Sequence, residues 1–286
     1  MPKHLTGIDH CVILVRDLDS AAATYKKLGF TISPRGFHSA HMGSANHTIM
    51  LQQDYFELLG IVNPTDHNSK WRGQLDRNGE GLTAIALQTD DADKACQEIR
   101  ALGMAATDTL AFSRPVDLPG GGKGEAAFKI TQFPPGSLAA AEVFVCGHLT
   151  RQTVWLPELM HHANTAQALA AVVMVASDPA AAVASWARAF GPGAVMPIAG
   201  GISVVVGKTP LEILTPAAVT ERYVGIAPGR LERDHLVALA FRVQDRAHAK
   251  ASIASDIRAV EIGQRLVVAP AQACGTLVEF RSQFSR

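Results

Sequence analysis

The chain has 286 residues, of which 48% are apolar, and its 26 Lys and Arg residues balance 26 Asp and Glu residues. A neutral chain of this kind can bury a large core and has no surplus charge for a polyanion, which argues against a nucleic-acid or membrane-surface partner. At roughly 150 residues per domain, the length predicts about two domains. No apolar run approaches the ~18 residues of a spanning helix, and the start lacks the apolar core of a secretory signal, so we predict a cytoplasmic protein.

The four cysteines are scattered singly and form no Cys-x-x-Cys pair. They are Cys11, Cys96, Cys146 and Cys274. This pattern indicates buried, reduced thiols rather than a disulfide framework or a thiolate zinc site.

A unit of one strand, one helix and three further strands recurs along the chain. The first copy begins with an apolar strand over residues 8–17 and a helix over 18–28, which Asp19 or Ser20 can cap and which Gly29 ends. Its later strands are predicted over 31–33, 48–52 and 55–61. The repeat therefore begins within the first 61 residues.

Three more copies follow, each opened by a strand that ends in an aspartate. The opening strands cover 82–91, 168–178 and 236–245, and the helices 92–102, 179–190 and 246–254. Later strands are predicted over 202–207, 211–214, 265–268 and 276–280. The four strand-ending aspartates are spaced widely enough for three strands after each helix; they are Asp17, Asp91, Asp178 and Asp245.

A βαβββ unit has a helix on one face of its sheet, which leaves a concave apolar face that it cannot bury alone. We therefore predict an α+β fold in which four βαβββ modules pair into two cupped, mainly antiparallel half-barrels. The predicted divisions are an N-terminal module pair over 1–150, a connector over 151–166 and a C-terminal module pair over 167–286.

Several short motifs lie in the first two thirds of the chain. They are Ile-Asp-His-x-Val-Ile-x-Val-Arg-Asp-Leu at 8–18, Gly-x-x-Asn-His at 43–47, Asp-Tyr-x-Glu-Leu-Leu at 54–59, and Phe-x-Cys-x-His-x-Thr at 144–150 with Trp-x-Pro-Glu at 155–158. Over roughly residues 6–180 the chain resembles the glyoxalase-like domain family of the vicinal oxygen chelate superfamily, which includes glyoxalases, bleomycin resistance proteins and extradiol dioxygenases. The resemblance implies paired modules around a divalent-metal pocket, with ligands from the first and last strands of two modules.

His10 and Glu57 are the leading metal-ligand candidates. Strand alternation places His10 on one face with Ile8, Val12 and Leu14, although a lone strand histidine is more often a core residue. Glu57 lies among apolar residues and is costly to bury without a cation or hydrogen-bond partners. The first and last strands of such a module are neighbours, so we expect the two side chains to meet.

A divalent ion needs a third ligand, for which we favour His148 and keep Glu142 and His47 as alternatives. Zn²⁺, Fe²⁺, Mn²⁺ and Ni²⁺ suit such a set of imidazole and carboxylate ligands. The other modules carry alanine where His10 stands, at Ala84, Ala171 and Ala238. Glutamate recurs in later strands at Glu142, Glu212 and Glu279, and there it can be architectural. The site is therefore predicted in the N-terminal pair, and the C-terminal pair is predicted to be degenerate.

The loop before the third strand offers Arg35, His38 and Asn46 as substrate-binding residues, unless it is simply a solvated loop. Trp155 in the connector either covers the pocket, together with His161 and His162, or anchors the packing between the halves.

Two functions remain open. The first is a divalent-metal-dependent enzyme, of lyase, isomerase or dioxygenase type, that acts on a small molecule with vicinal oxygens; Glu57, Glu142 and His47 are the candidate catalytic groups. The alternative is a metal-free protein that binds or sequesters a small molecule, of the bleomycin-resistance kind. In both cases the partner is a small molecule, and a homodimer is an open option.

Overall fold

Each repeated unit forms one strand, one helix and three further strands in the computed structural model, which describes residues 2–118 and 121–282. The first unit contains β1 (Gly7–Val15), α1 (Leu18–Lys27), β2 (Gly36–Phe37), β3 (Ser44–Met50) and β4 (Tyr55–Ile61). After helix α2 (Ser69–Asn78), the second unit contains β5 (Gly81–Gln88), α3 (Ala92–Ala101), β6 (Leu110–Asp117), β7 (Lys123–Gln132) and β8 (Glu142–His148).

The second half repeats this order after a connector with two short 3-10 turns. Its first unit contains β9 (Ala166–Val175), α4 (Pro179–Phe190), β10 (Val195–Ile198), β11 (Gly201–Val206) and β12 (Thr209–Leu214). After helix α5 (Pro216–Arg222), its second unit contains β13 (His235–Val243), α6 (Arg246–Ser252), β14 (Ala259–Ile262), β15 (Arg265–Val268) and β16 (Leu277–Ser282).

The strands form two eight-stranded sheets with the same topology. The orders are β2-β3-β4-β1-β5-β8-β7-β6 and β10-β11-β12-β9-β13-β16-β15-β14. Within each unit the first and last strands are parallel neighbours, and the two first strands of a sheet pair antiparallel at its centre. The predicted α+β fold of four paired βαβββ modules is confirmed.

The recurring aspartates cap the helix that follows the first strand of each unit. Asp17 accepts a hydrogen bond from the Ser20 N–H, and Asp91, Asp178 and Asp245 each accept from two N–H groups of the first helical turn. This satisfies donors that a helix start leaves unpaired. The prediction that Asp19 or Ser20 caps α1 was therefore wrong, because the aspartate one position before the helix already fills that role.

Three local features differ from the sequence prediction. Residues 31–33 form no strand, and the short β2 lies at Gly36–Phe37 instead. Helices α2 and α5 were not predicted, and each has one buried residue, Leu75 and Val219 respectively.

Among the described residues, no helix is both long and apolar enough to cross a membrane.

One hydrophobic core joins the helix-covered faces of both sheets. In this core, Phe30 packs against rings from both halves, with ring centroids 5.3 Å from Phe56, 5.0 Å from Phe241 and 5.9 Å from Phe280. The concave faces of the two sheets point away from this core and carry separate, smaller hydrophobic clusters. The division into domains over 1–150 and 167–286 stays a prediction.

Candidate functional site

The concave face of the first sheet is formed by alternate residues of its central strands. In β1, Cys11 and Ile13 join the main core, whereas Val12 and Leu14 pack on the opposite, concave side. Glu57 pairs in register with Val12 across the parallel β1 and β4 strands. Strand alternation therefore places His10 and Glu57 on the concave face.

A β-bulge at the start of β1 changes the expected alternation. The register with β5 shifts between Ile8 and His10, so Asp9 has no partner across the antiparallel pair. Ile8 joins the helix-covered core, contrary to the predicted shared face with His10. A bulge redirects side chains at this kind of position, and here the Asp9 carboxylate meets the His10 ring.

The Asp9 carboxylate lies between two imidazoles. Its Oδ1 is 2.7 Å from Nδ1 of His10 and 3.0 Å from Nε2 of His148, and the Asp9 side chain is fully buried. Burial raises the pKa of Asp9, but the hydrogen bonds and positive character of the two histidines outweigh it and hold the pKa at about 2. An ionised Asp9 can only accept, so Nδ1 of His10 and Nε2 of His148 are the donating nitrogens.

Several buried polar atoms of this cluster have no partner among the described residues. These unpartnered atoms are Oδ2 of Asp9, Nδ1 of His148 and Oδ1 of Asn46. Buried polar groups normally form hydrogen bonds, and one that has no partner costs free energy. The concave face therefore offers contacts that a ligand, an ion or water would complete.

Glu57 is also held by a neighbour on the concave face. Nδ2 of Asn46 donates to its Oε2 at 2.5 Å. Tyr55, two residues earlier, stacks on His10 with ring centroids 4.3 Å apart. Burial, with Asp9 the next largest cause, raises the pKa of Tyr55 well above its usual range, so this phenol stays neutral.

Aromatic side chains surround the polar cluster. Phe144 meets His10 edge-on at 5.4 Å between ring centroids, and Phe128 meets His148 at 5.0 Å. Trp155 from the connector packs edge-on against His148 at 4.8 Å, and its Nε1 donates to the Leu51 carbonyl. These rings limit the access of water to the cluster.

One group of residues in the described part of the chain has three candidate ligand atoms within 4.8 Å of one another: Asp9, Cys146 and His148. Burial raises the pKa of the Cys146 thiol, and the charge of Asp9 raises it further, so the thiol is neutral without a nearby cation. A carboxylate, an imidazole and a thiol together suit borderline divalent ions such as Zn²⁺ and Fe²⁺. The unpartnered Oδ2 of Asp9 adds to this fit.

His47 and Glu142, two other predicted site residues, do not join the polar cluster around His10. His47 lies on the helix-covered face, since it pairs with core residue Leu58 and its Nδ1 donates to the Ser33 carbonyl. Glu142 is on the concave side but forms an ion pair with Lys70 of α2 at 3.0 Å. The structure therefore does not bring His47 to His10, whereas Glu142 lies at the margin of the same face.

The predicted rim residues have local partners. Arg35 forms an ion pair with Asp19 at 2.5 Å, and Nδ1 of His38 lies 2.8 Å from Oγ of Ser44. Asn46 alone of the three rim candidates contacts a predicted ligand, Glu57. Asp9 and Cys146 were not predicted as site residues; the bulge that turns the Asp9 carboxylate toward the two histidines leaves no clear pattern in the sequence.

The concave face of the second sheet carries a different arrangement. Arg281 forms ion pairs with Glu279 at 2.5 Å and with Glu212 at 3.2 Å. Arg222 of α5 also pairs with Glu212, and the Tyr223 hydroxyl donates to Glu279. The two glutamates thus have internal partners, consistent with an architectural role.

A separate cleft of about 440 Å³ lies between α1 and residues 270–275. Its walls include Asp17, Glu80 and Cys274. We place the candidate site on the concave face instead, because the unpartnered buried atoms and the three grouped ligand candidates all lie there.

The paired βαβββ sheets and the polar cluster on the concave face define a protein of the vicinal oxygen chelate type. The family model described as a glyoxalase-like domain matches residues 8–190, which is more than half of the chain, and the chain belongs to this family. The resemblance seen in the sequence is confirmed. No curated protein is significantly similar to the chain in sequence.

Solved structures share the fold at low sequence identity. A hypothetical protein from Staphylococcus aureus is 11% identical with a TM-score of 0.67, over 96% of this chain and 98% of that one. A 4-hydroxymandelate synthase mutant from Streptomyces coelicolor is 13% identical with a TM-score of 0.56, over 98% and 93%. A xylose isomerase-like TIM barrel/4-hydroxyphenylpyruvate dioxygenase fusion protein is 13% identical with a TM-score of 0.57, over 98% of this chain and 50% of that one. These likenesses support the fold alone.

Proposed function

We propose that the N-terminal half forms a divalent-metal-dependent enzyme site, of lyase, isomerase or dioxygenase type, for a small molecule with two neighbouring oxygen atoms. The observation that carries the proposal is the Asp9 carboxylate, which is fully buried, has a pKa of about 2 and has one oxygen without a partner in the part of the chain that the structure describes. A buried anion needs a cation or further hydrogen bonds to offset its lost hydration. A divalent ion beside His148 and Cys146 would supply that charge.

Asp9, Cys146 and His148 are the ligands we propose, because their ligand atoms are already grouped. The set His10, Glu57 and His148 stays a prediction from the sequence. When bound, a divalent ion would act as a Lewis acid that polarises a substrate oxygen. Two or three protein ligands leave coordination positions open for substrate.

The remaining residues of the cluster have roles that follow from their own contacts. Asp9 accepts from Nδ1 of His10 and so fixes the orientation of that ring, which leaves Nε2 as the nitrogen that can take up or release a proton. Tyr55 stacks on the ring and keeps it in place. Asn46 holds the Glu57 carboxylate, and the aromatic side chains around the cluster exclude water.

Metal content tests the proposal directly. Protein purified without an affinity tag should carry close to one divalent ion per chain, measured by elemental mass spectrometry before and after dialysis against a chelator. Asp9→Asn and Cys146→Ser should lower the metal content sharply. Cys11→Ser is the matched control, because Cys11 is also a buried thiol but lies on the helix-covered face of the sheet, away from the polar cluster.

The same measurement distinguishes the two ligand sets. Loss of metal in His10→Gln and Glu57→Gln, with retention in Asp9→Asn and Cys146→Ser, would support the sequence-based set and contradict ours. Retention of metal in all four variants would contradict both sets.

A metal-free binding protein is the second candidate, and the aromatic lining favours it. Phe128, Phe144, Tyr55 and Trp155 form a wall suited to an apolar or aromatic ligand. Tight binding of a small aromatic molecule by protein that never takes up a stoichiometric metal would support this alternative. A small molecule is the partner in both cases, and a cytoplasmic location and a homodimer remain predictions.

A further inference from the structure

A second cleft lies where helix α2 of the first half meets residues 229–236 of the second half. It has a volume of about 190 Å³ and adjoins the cleft near α1, with which it shares Glu80 and Gly275. Two arginines, Arg230 and Arg233, line it. Its lining residues differ from those of the polar cluster on the first sheet, so this cleft is separate from the proposed metal site.

Close backbone contacts hold the two halves together at this cleft. A Cβ at Gly275 would overlap the Glu80 carbonyl, and a Cβ at Gly81 would lie 3.1 Å from the Gly275 carbonyl oxygen. Nη1 of Arg230 donates to the Arg77 carbonyl, near the end of α2, at 3.1 Å. These contacts form the cleft in the absence of a ligand, so little entropy would be lost in shaping it for one.

Arg233 is a cation of this cleft that lacks a protein partner. In the described part of the chain, its guanidinium forms no hydrogen bond and no ion pair, and its Nε is buried. The residue is nevertheless partly exposed and lines the cleft, so a ligand there can reach the guanidinium. An ion or water normally completes a buried polar group of this kind.

Positive charge is concentrated around Arg233. Burial and, next, the charge of Arg230 lower the pKa of Arg233, whereas Glu232 opposes this shift. Burial also lowers the pKa of His235; its hydrogen bond to the Arg233 carbonyl opposes the shift, and the charge of Arg233 adds to it. The two guanidinium groups therefore repel each other, and an anion between them would offset that repulsion.

The carboxylates near the cleft have other partners. Glu80 lines it, but Oε1 of Glu80 accepts from the Arg16 N–H at 2.7 Å. Burial, followed by the charge of Glu80, raises the pKa of Cys274 to about 12, so Glu80 also faces the neighbouring cleft. Asp234 accepts from the N–H and the hydroxyl of Ser177. Positive charge is thus in excess on the side of the two arginines.

We propose that this cleft binds the phosphate group of a small molecule between Arg230 and Arg233. A phosphate group carries about −1.5 to −2 charges at neutral pH, which matches two guanidinium groups better than the single charge of a carboxylate does. The Asn78 amide, also in the lining, is a further donor. The bound group would link α2 to the second half of the chain.

Calorimetric titration of the whole protein with sodium phosphate and with sodium acetate, at constant ionic strength, tests the proposal. Wild type should bind phosphate with a Kd of about 1 mM or lower and acetate about tenfold more weakly. Arg233→Gln should weaken phosphate binding about tenfold or more. Arg265→Gln is the matched control and should bind as wild type does. Arg265 is also partly exposed and without a hydrogen bond or ion pair among the described residues, but it lies in β15, outside the cleft.

Glu232→Gln is a second variant, which leaves every lining residue in place. The exposed Glu232 carboxylate acts on Arg233, so its removal should strengthen phosphate binding by about twofold. Glu221→Gln, at an exposed position of α5, is the control for this substitution and should bind as wild type does. A purely structural role of Arg233 predicts no such increase.

Several results would overturn the inference. They are wild-type protein without saturable phosphate binding, equal binding of phosphate and acetate, and unchanged phosphate affinity in Arg233→Gln. If Arg233→Gln does not fold, unchanged or weaker binding in Glu232→Gln has the same meaning.

Asp9→Asn separates this inference from the proposed function, because phosphate also binds divalent metal ions. This variant should bind phosphate as wild type does. Lost phosphate binding in Asp9→Asn, with binding retained in Arg233→Gln, would place the phosphate at the proposed metal site and overturn the inference. Wild-type protein that binds phosphate through Arg233 and never takes up metal would support the cleft and contradict the metal-dependent function.

Discussion

His162 is a buried, neutral histidine on which the stability of the protein should depend in a pH-sensitive way. Its Nδ1 accepts from the Thr31 N–H at 3.0 Å, and its Nε2 donates to the Met50 carbonyl at 2.8 Å. The ring also packs edge-on against Phe30. Because Nδ1 must accept, the ring is neutral in the folded protein, and protonation would break the bond from Thr31.

The magnitude follows from the pKa of this group. Burial lowers the pKa of His162 from its ordinary 6.5 to about 4, although the bond to Met50 opposes the shift. Between these two values the unfolded chain binds a proton that the folded protein does not, so acidification favours unfolding. At ~1.4 kcal/mol per pKa unit, the contribution lost from pH 6.5 down to pH 4 is about 3 kcal/mol.

Chemical denaturation of wild type and His162→Gln at pH values from 8 to 4 measures this contribution. At pH 8 the variant should be less stable by about 1–3 kcal/mol, because two buried backbone groups lose good partners. The difference between wild type and variant should shrink steadily below pH 6.5 and vanish or reverse near pH 4. His248→Gln, at an exposed position of α6, controls for the substitution itself. A difference that is constant over the whole range would refute the argument.

Three further changes should affect stability. Burial raises the pKa of Asp54 to about 7, so between pH 4 and pH 7 the folded protein binds a proton that the unfolded chain does not. The stability of wild type relative to Asp54→Asn should therefore be highest near pH 4 and fall as the pH rises to about 7. Denaturation of both proteins at several pH values would measure this trend. Phe30→Ala should cost about 3–5 kcal/mol and lower the melting temperature of both halves together, whereas two separate transitions would contradict one shared core. Arg281→Met should cost about 3–5 kcal/mol by leaving the buried Glu279 carboxylate without its cation, whereas Glu212 keeps Arg222; Glu279→Gln in the same chain should recover part of that loss, and no recovery would contradict the pairing.

The fold could be predicted because its signals are local and repeated. Apolar strands that end in aspartate recur four times, and the same aspartates cap the helices that follow. Helix α2 was not predicted because it lacks such a local signal: Leu75 is its one buried residue, and it has no apolar stripe. Its position depends on contacts of Trp71 and Leu75 with the concave cluster, which no local pattern encodes.

The candidate site was predicted less completely than the fold, because its geometry depends on irregular backbone and on distant strands. Strict alternation predicts Asp9 on the helix-covered face, yet the register shift in β1 turns its carboxylate toward His10 and His148.

Equivalent positions in the two halves differ in a way that supports our proposal of a site in the first. Cys146 and Arg281 lie at the same place in their modules: each pairs with the residue three before the capping aspartate, Gln88 and Arg242 respectively. Burial lowers the basicity of Arg281, but Glu279 and Glu212 outweigh it and raise its pKa, so the second half contains a permanent internal cation. The first half has a neutral thiol at that place. Its buried carboxylate must therefore be balanced by the flanking histidines or by an ion from solution, and such a site can exchange a ligand.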